Sequence, residues 1–213
     1  MAQQDLAIFD FDGTIADSAG WFFSIMNDIA EKHGFPHISE EERELLRGYT
    51  TQKIISHLGI PLWKIPIIAN DLRKLAADHI DQISLFPWVS DIWNSLKKHN
   101  ISIAIVSSNS EQNIRHVIGD ELSGMVEHFA TGASLFGKTA KIKGTIKSCN
   151  SSPGKTTSIG DEIRDIEAAN SAGVSSIAVT WGYATTQALR TAGPTQLINQ
   201  PNEILDWFNL QYN

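Results

Sequence analysis

Two stretches, ISIAIVSS from residue 101 and SSIAVTW from residue 175, are apolar almost without interruption. A strand with one face in water alternates apolar and polar residues, whereas a strand that is apolar on both faces needs cover on both. Such strands belong to a parallel sheet flanked by helices. Three more segments read as short buried strands, Leu6–Phe11, His128–Thr131 and Thr156–Ile159, so the five strands span Leu6–Phe11, Ile101–Ser107, His128–Thr131, Thr156–Ile159 and Ser176–Thr180. Helical periodicity separates them from the second strand onward. Trp88, Ile92, Trp93 and Leu96 make one apolar face, Ile114, Val117 and Ile118 another, and EIRDIEAANSAG a third helix with Gly173 as its C-cap. This alternation predicts an α/β fold built on a doubly wound parallel sheet.

One connection is too long for that pattern. Residues 18–84 contain no convincing strand. They carry helical periodicity at Trp21, Phe22, Ile25, Met26 and Ile29, a capping box from Ser39 to Glu42, the segment TQKIISHLG, and an apolar face from Ile67 to Ile83. A connection of this length has structure of its own. The expected organisation is an α/β core from residues 1–17 and 85–213, with an inserted α-helical domain at 18–84. Asp17 and Ser18 are expected to cap its first helix, and Trp63, in PLWKIP, to pack in a core.

Composition removes several function classes. The net charge of -7 argues against nucleic acid and against an anionic membrane surface, both of which want clustered Lys and Arg. No stretch approaches the roughly 18 apolar residues of a membrane span. The single cysteine, Cys149, excludes an internal disulfide framework. The N-terminal MAQQDLAIF has no basic region followed by an apolar segment. A soluble cytoplasmic protein is expected. The seven histidines show no metal-binding spacing.

In open α/β sheets, ligands bind outside the carboxyl ends of the strands. The first strand ends on Asp10 and Asp12, and the second on Ser107, Ser108 and Asn109. The fourth ends on Asp161, Glu162 and Asp165, and FGKTAKIKG offers Lys138, Lys141 and Lys143 after the third. Several carboxylates at one edge repel unless a cation lies among them, which suggests a hard divalent ion with oxygen ligands, most simply Mg²⁺. A surplus carboxylate can attack phosphorus, while a hydroxyl and a lysine stabilise phosphoryl oxygens. Gly13 allows the sharp turn that brings Asp12 back towards Asp10.

These residues resemble the motifs of the haloacid dehalogenase superfamily. DFDGTIADS is similar to its first motif, IAIVSSN to the second, GK to the third and IGDEIRD to the fourth, in order along nearly the whole chain. The helical insert follows the first motif, where the phosphoglycolate phosphatase-like branch carries its cap.

The resemblance implies that Asp10 is the nucleophile and forms a phospho-aspartate, with Asp12 as general acid and then base. It implies Mg²⁺ held by Asp10, Asp12 (through its backbone carbonyl) and Asp161, with Asp165 supporting that site. Ser107, Ser108 and Lys138 would bind the phosphate. The lysine motif departs from the usual Lys-Pro, so Lys141 stands in reserve, while Lys143 reads as a solvated helix residue. In the insert, LLRGYTTQK offers Arg47, Gly48, Tyr49 and Lys53 for substrate choice. The implied activity is Mg²⁺-dependent hydrolysis of a small phosphorylated metabolite, a phosphoglycolate-like phosphomonoester. The alternatives are a β-phosphoglucomutase-like phosphomutase and, more remotely, a non-catalytic phosphate-binding or regulatory protein. Exposed apolar residues of the insert leave a homodimer open.

Overall fold

The computed structural model describes residues 5–132 and 137–210. Residues 1–4, where no leader was expected, lie outside that range. Its centre is a six-stranded sheet. The strands are β1 (Leu6–Phe9), β4 (Ser102–Val106), β5 (Val126–Ala130), β6 (Thr156–Gly160), β7 (Ser175–Val179) and β8 (Gln196–Ile198). They lie in the order β5-β4-β1-β6-β7-β8, and every pairing is parallel. The chain first winds from β1 towards β5, then returns to the other side of β1 at β6. The reversal therefore lies between β1 and β6, and a crevice opens there at the carboxyl ends of the strands.

The side chains of β1 show why the sheet is wound on both faces. Ala7 and Phe9 join a cluster with Ile92, Trp93 and Leu96 of helix α5 (Val89–Lys98). Leu6 and Ile8 join another with Ile142 and Ile146 of α7 (Lys138–Ser148) and Ala168 and Ala169 of α8 (Ile163–Ala172). All four strand residues are fully buried. The Phe9 and Trp93 rings lie 5.6 Å apart. Helix α6 (Glu111–Ser123), α9 (Thr186–Thr191) and α10 (Glu203–Trp207) complete the two outer layers.

Between β1 and α5 the chain leaves through β2 (Ala16–Asp17) and returns through β3 (Ser84–Leu85). These two short strands pair antiparallel. Four helices lie between them: α1 (Ala19–His33), α2 (Glu40–Leu46), α3 (Thr51–His57) and α4 (Ile65–Asp78). Their own apolar cluster is small, with Ile38, Leu46 and Leu58 buried against Met26, Phe35, Tyr49 and Ile54.

Several local expectations change. The third strand begins two residues early, and β8 was not expected: it is three residues long at the sheet edge. Ser39 accepts from the Glu42 N–H at 3.1 Å, but the Glu42 carboxylate bonds His57 at 2.9 Å and leaves the capping box half made. Ser18 makes no side-chain cap on α1, since its hydroxyl is used at the site below. Trp63 is 68% exposed, not packed in a core. It sits in a one-turn 3₁₀ helix, Leu62–Lys64, whose Lys64 reaches back to the His33 carbonyl at 2.7 Å and leaves its neighbour facing outward.

Candidate active site

Asp10 follows β1 directly, and its N–H donates to the Ile159 carbonyl of β6 at 2.9 Å. This bond extends the β1–β6 ladder by one residue and fixes the aspartate at the reversal point. One Asp10 oxygen accepts from the Phe11 N–H at 2.8 Å. The other, Oδ2, lies 2.9 Å from Lys138 Nζ. The same ammonium stands 2.6 Å from Asp165 Oδ1. These two oxygens are ion-paired but make no hydrogen bond of good geometry.

Lys138 is the first residue of α7 and is the sequence-nominated lysine that meets the acids. Lys141, one turn on, donates instead to the carbonyls of Ser107 (2.7 Å) and Gly132 (2.5 Å). It ties the ends of β4 and β5 together. Lys143 is exposed.

Asp10, Asp161 and Asp165 form a buried group whose nearest oxygens lie within 4.8 Å of one another. Asp161 is completely buried. Its Oδ1 accepts from the Thr14 hydroxyl at 2.7 Å and its Oδ2 from the Tyr183 N–H at 2.7 Å. Burial raises the Asp161 carboxyl well above its ordinary value, and Glu162, Asp165 and Asp10 push it the same way. Burial also raises Asp10, against the pull of Lys138. For Lys138 burial acts downwards, yet Asp10 and Asp165 outweigh it and the ammonium is held charged. Three acids against one nearby ammonium leave negative charge in excess. An all-oxygen donor set of this kind fits Mg²⁺.

The turn after β1 is built for close approach. Gly13 has φ 72°, and a Cβ there would strike Asp161 Oδ2 and the Tyr183 ring. A Cβ on Gly182 would collide with the Asp161 carboxylate. The Gly13 N–H donates to Ser18 Oγ at 3.2 Å, and that hydroxyl shares a hydrogen bond with the Tyr183 hydroxyl at 3.0 Å. Thr14, Ser18, Gly182 and Tyr183 thus position the acids, and the sequence reading missed them in this role. Only DGT at 12–14 carried a local signal. Tyr183 reaches the site through the fold, from the loop after β7.

Asp12 points away from the three-acid group towards the cleft. Asn109 Nδ2 donates to its two oxygens at 3.4 and 3.2 Å. Its carboxyl is raised to about 6, first by burial and then by the Asp10 charge, with Asn109 and Ser18 opposing. By surface area Asp12 is only partly covered, but it lies deep enough among protein atoms for the raised value to follow from lost hydration. Ser107 is buried, and its hydroxyl accepts from the Asn109 N–H at 3.1 Å. Ser108 faces the cleft beside Asn109.

Asp165 Oδ2 accepts from the Glu162 N–H at 2.9 Å and caps α8. Glu162 itself pairs with Arg164 at 2.5 Å. Cys149 is buried at the end of α7, and burial followed by Glu127 pushes its thiol up to about 11, so it is no nucleophile at neutral pH.

The helices between β2 and β3 lie over this edge. The Arg47 side chain donates to the Tyr183 carbonyl at 2.7 Å and pairs with Glu44 at 2.9 Å, while the Thr185 N–H donates to the Arg47 carbonyl at 3.1 Å. Arg47 is therefore committed to joining insert and core. Gly48 makes the adjoining turn. Tyr49 lines the cleft, and the Lys53 ammonium rests 3.6 Å from the Tyr49 ring centre, away from the acids.

Comparison with known proteins agrees with this architecture. Residues 7–179 match the haloacid dehalogenase-like hydrolase family. The chain belongs to that family. It is a hydrolase of the haloacid dehalogenase type, with the family's α/β core. It is 30% identical to a phosphoglycolate phosphatase of Synechococcus elongatus over 93% of this chain and 94% of that protein. It is also 25% identical to the pyrophosphatase PpaX of Oceanobacillus iheyensis, over 93% and 94% of the two chains. Among solved structures, a haloacid dehalogenase-like hydrolase of Streptococcus pneumoniae superposes with a TM-score of 0.77 at 19% identity, covering 98% of this chain and 100% of the other. The CbbY protein of Rhodobacter sphaeroides, solved with phosphate, superposes with a TM-score of 0.71 at 20% identity, covering 92% and 94%. Both likenesses are of fold. No helix among the described residues is long and apolar enough to cross a membrane.

Proposed function

We propose that this hydrolase is a Mg²⁺-dependent phosphatase of a small phosphorylated metabolite, working through a phospho-aspartate on Asp10. The observation that carries the reading is the division of labour between two aspartates. Asp10 is ion-paired with Lys138 inside the three-acid group, whereas Asp12 turns to Asn109 with its carboxyl raised to about 6. A nucleophile must be ionised, and a proton donor must hold its proton near neutral pH.

In the first step an Asp10 oxygen forms a bond to phosphorus and the ester P–O bond breaks. Asp12 gives its proton to the departing alkoxide, and the alcohol leaves. In the second step Asp12 takes a proton from water, and the water oxygen attacks the same phosphorus. The acyl phosphate P–O bond breaks, inorganic phosphate is released and Asp10 is restored. Lys138, Ser107 and the Ser108 N–H hold phosphoryl oxygens. Asp10, the Asp12 carbonyl and Asp161 would hold Mg²⁺, with Asp165 behind them; when bound it supplies positive charge against the clustered carboxylates and the phosphoryl group. Residues 18–84 act as a cap that excludes bulk water.

The relatives named as phosphoglycolate phosphatases make phosphoglycolate the first compound to assay. The test is phosphate release from a metabolite panel with Mg²⁺, with chelator, and with Asp10→Asn. Release that needs metal and is abolished in Asp10→Asn supports the reading. No release by folded, metal-loaded protein from any compound, including 4-nitrophenyl phosphate, overturns it.

A further inference from the structure

Between the helical insert and the catalytic edge lies a cavity of about 600 Å³. Asp12, Ser108 and Asn109 form part of its floor, so it is continuous with the acids. Its walls are mainly apolar: Phe22, Phe23 and Met26 of α1, Leu46 of α2, Ile54 of α3 and Leu72 of α4. The Tyr183 ring meets Phe22 and Phe23 edge-on at 5.4 and 5.8 Å, which gives the chamber an aromatic side. Leu62, 74% exposed, stands at its lip.

The chamber is not a gap left by a displaced insert. Arg47 and Tyr183 join insert and core on one side. On the other, Asn113 of α6 donates to the Arg73 carbonyl of α4 at 3.2 Å and to Asn109 Oδ1 at 3.1 Å. The cations on the walls are mostly engaged. Arg47 is held by Glu44, Arg164 by Glu162, and Arg43 lies over the Phe23 ring at 5.2 Å. Arg73 lines the cavity with no ion-pair partner among the described residues, and its backbone stands beside the Asn109–Asn113 pair, at the phosphate end. The wall away from the acids thus offers mainly apolar surface, broken by Arg43, which also lies 3.7 Å from the exposed Glu40 carboxylate.

We infer that the substrate is a phosphomonoester whose non-phosphate body is apolar and at least the size of an aromatic ring system. A volume near 600 Å³ lies in the range that encloses a drug-sized ligand. A two-carbon acid such as glycolate would leave most of it unfilled and would touch little of the apolar wall. The inference rests on the phosphatase reading and narrows it.

The test holds the leaving group constant as a primary alcohol. It compares kcat/KM of the Mg²⁺-loaded enzyme for ethyl phosphate, phosphoglycolate, benzyl phosphate and 2-naphthylmethyl phosphate. A rise of at least tenfold from ethyl to naphthylmethyl phosphate, with phosphoglycolate below the naphthyl compound, is expected. Leu72→Gln on the wall and Leu62→Gln at the exposed lip should each lower the naphthylmethyl-to-ethyl ratio at least threefold. The lip position carries no folding risk. A flat series, or phosphoglycolate in the lead, overturns the inference. If no ester is cleaved, the phosphatase reading fails, and calorimetric binding of 2-naphthylmethylphosphonate and methylphosphonate decides the chamber separately. Tenfold tighter binding of the naphthyl compound upholds an apolar ligand, and equal binding overturns it.

Discussion

The sheet edge and the helical insert are built to different tolerances. Every residue of β1 is fully buried, and the acids beyond it are hemmed by backbone and by glycines with no room for a Cβ. The helix α3, across the cavity, has no buried residue at all. The acidic edge holds charge against its own repulsion, which needs fixed donors such as the Tyr183 N–H and the Thr14 hydroxyl. The insert needs only to present a surface. A displacement of part of an ångström would disable the edge, whereas the insert could accept changed side chains and still close over a different ligand.

Substitutions can break this contrast or sharpen it. The largest effect belongs to Asp10→Asn, expected to lower kcat by about 10⁴-fold or more, since the proposed nucleophile has no substitute within reach. Phosphate release in single-turnover assays measures it. Next is Trp93→Ala, which removes the largest fully buried side chain beneath β1 and should cost about 3–5 kcal/mol in urea unfolding. A loss below about 1 kcal/mol would mean that the edge does not depend on that packing. Lys138→Met should reduce kcat by about 10²- to 10³-fold, in the range of other removed charge-stabilising donors. An equal loss in Lys141→Met, whose ammonium bonds only carbonyls, would erase the distinction drawn between the two lysines.

A smaller, pH-dependent effect follows from Asp10, Asp12 and Asp161, all held above the ordinary carboxyl value. In their window the folded protein binds more protons than the unfolded chain, so stability falls as pH rises. For Asp12 the window runs from the ordinary carboxyl value of 3.8 to about 6. The melting temperature of metal-free protein should therefore be higher at pH 5 than at pH 7, with the difference reduced in Asp12→Asn and in Asp161→Asn. A melting temperature that rises over this interval, and is insensitive to both changes, would contradict the charge crowding described. The smallest effect is Trp63→Ala, within about 0.5 kcal/mol by the same unfolding assay, because that ring faces solvent.

Strand positions were legible wherever apolar runs were long and continuous, as at Ser102–Val106 and Ser175–Val179, because burial on both faces leaves a local trace. The short edge strand β8 and the two-residue β2 and β3 leave none, being set by pairing partners rather than by their own residues. Asp10, Asp12, Asp161 and Asp165 could be nominated because strand ends are readable in one dimension, while the choice of Lys138 over Lys141 rested on the family resemblance. Tyr183 could not, since its bond to Asp161 spans 22 residues and depends on two strands lying side by side. Trp63 misled for the opposite reason. Its size favours burial, but a proline-flanked single turn gave it nothing to be buried against.

The paired strands β2 and β3 also bear on how such a chain can change over time. Ala16 stands opposite Leu85 and Asp17 opposite Ser84, so the excursion of four helices leaves and re-enters the core at one spot. Whatever is tied to those two ends imposes little on the sheet, because the cost of closing a loop grows only slowly with its length. The ribbon is a socket. Helical inserts of other lengths and linings could be exchanged there by recombination, each meeting the same acids with a different chamber, and the chemistry would be inherited intact.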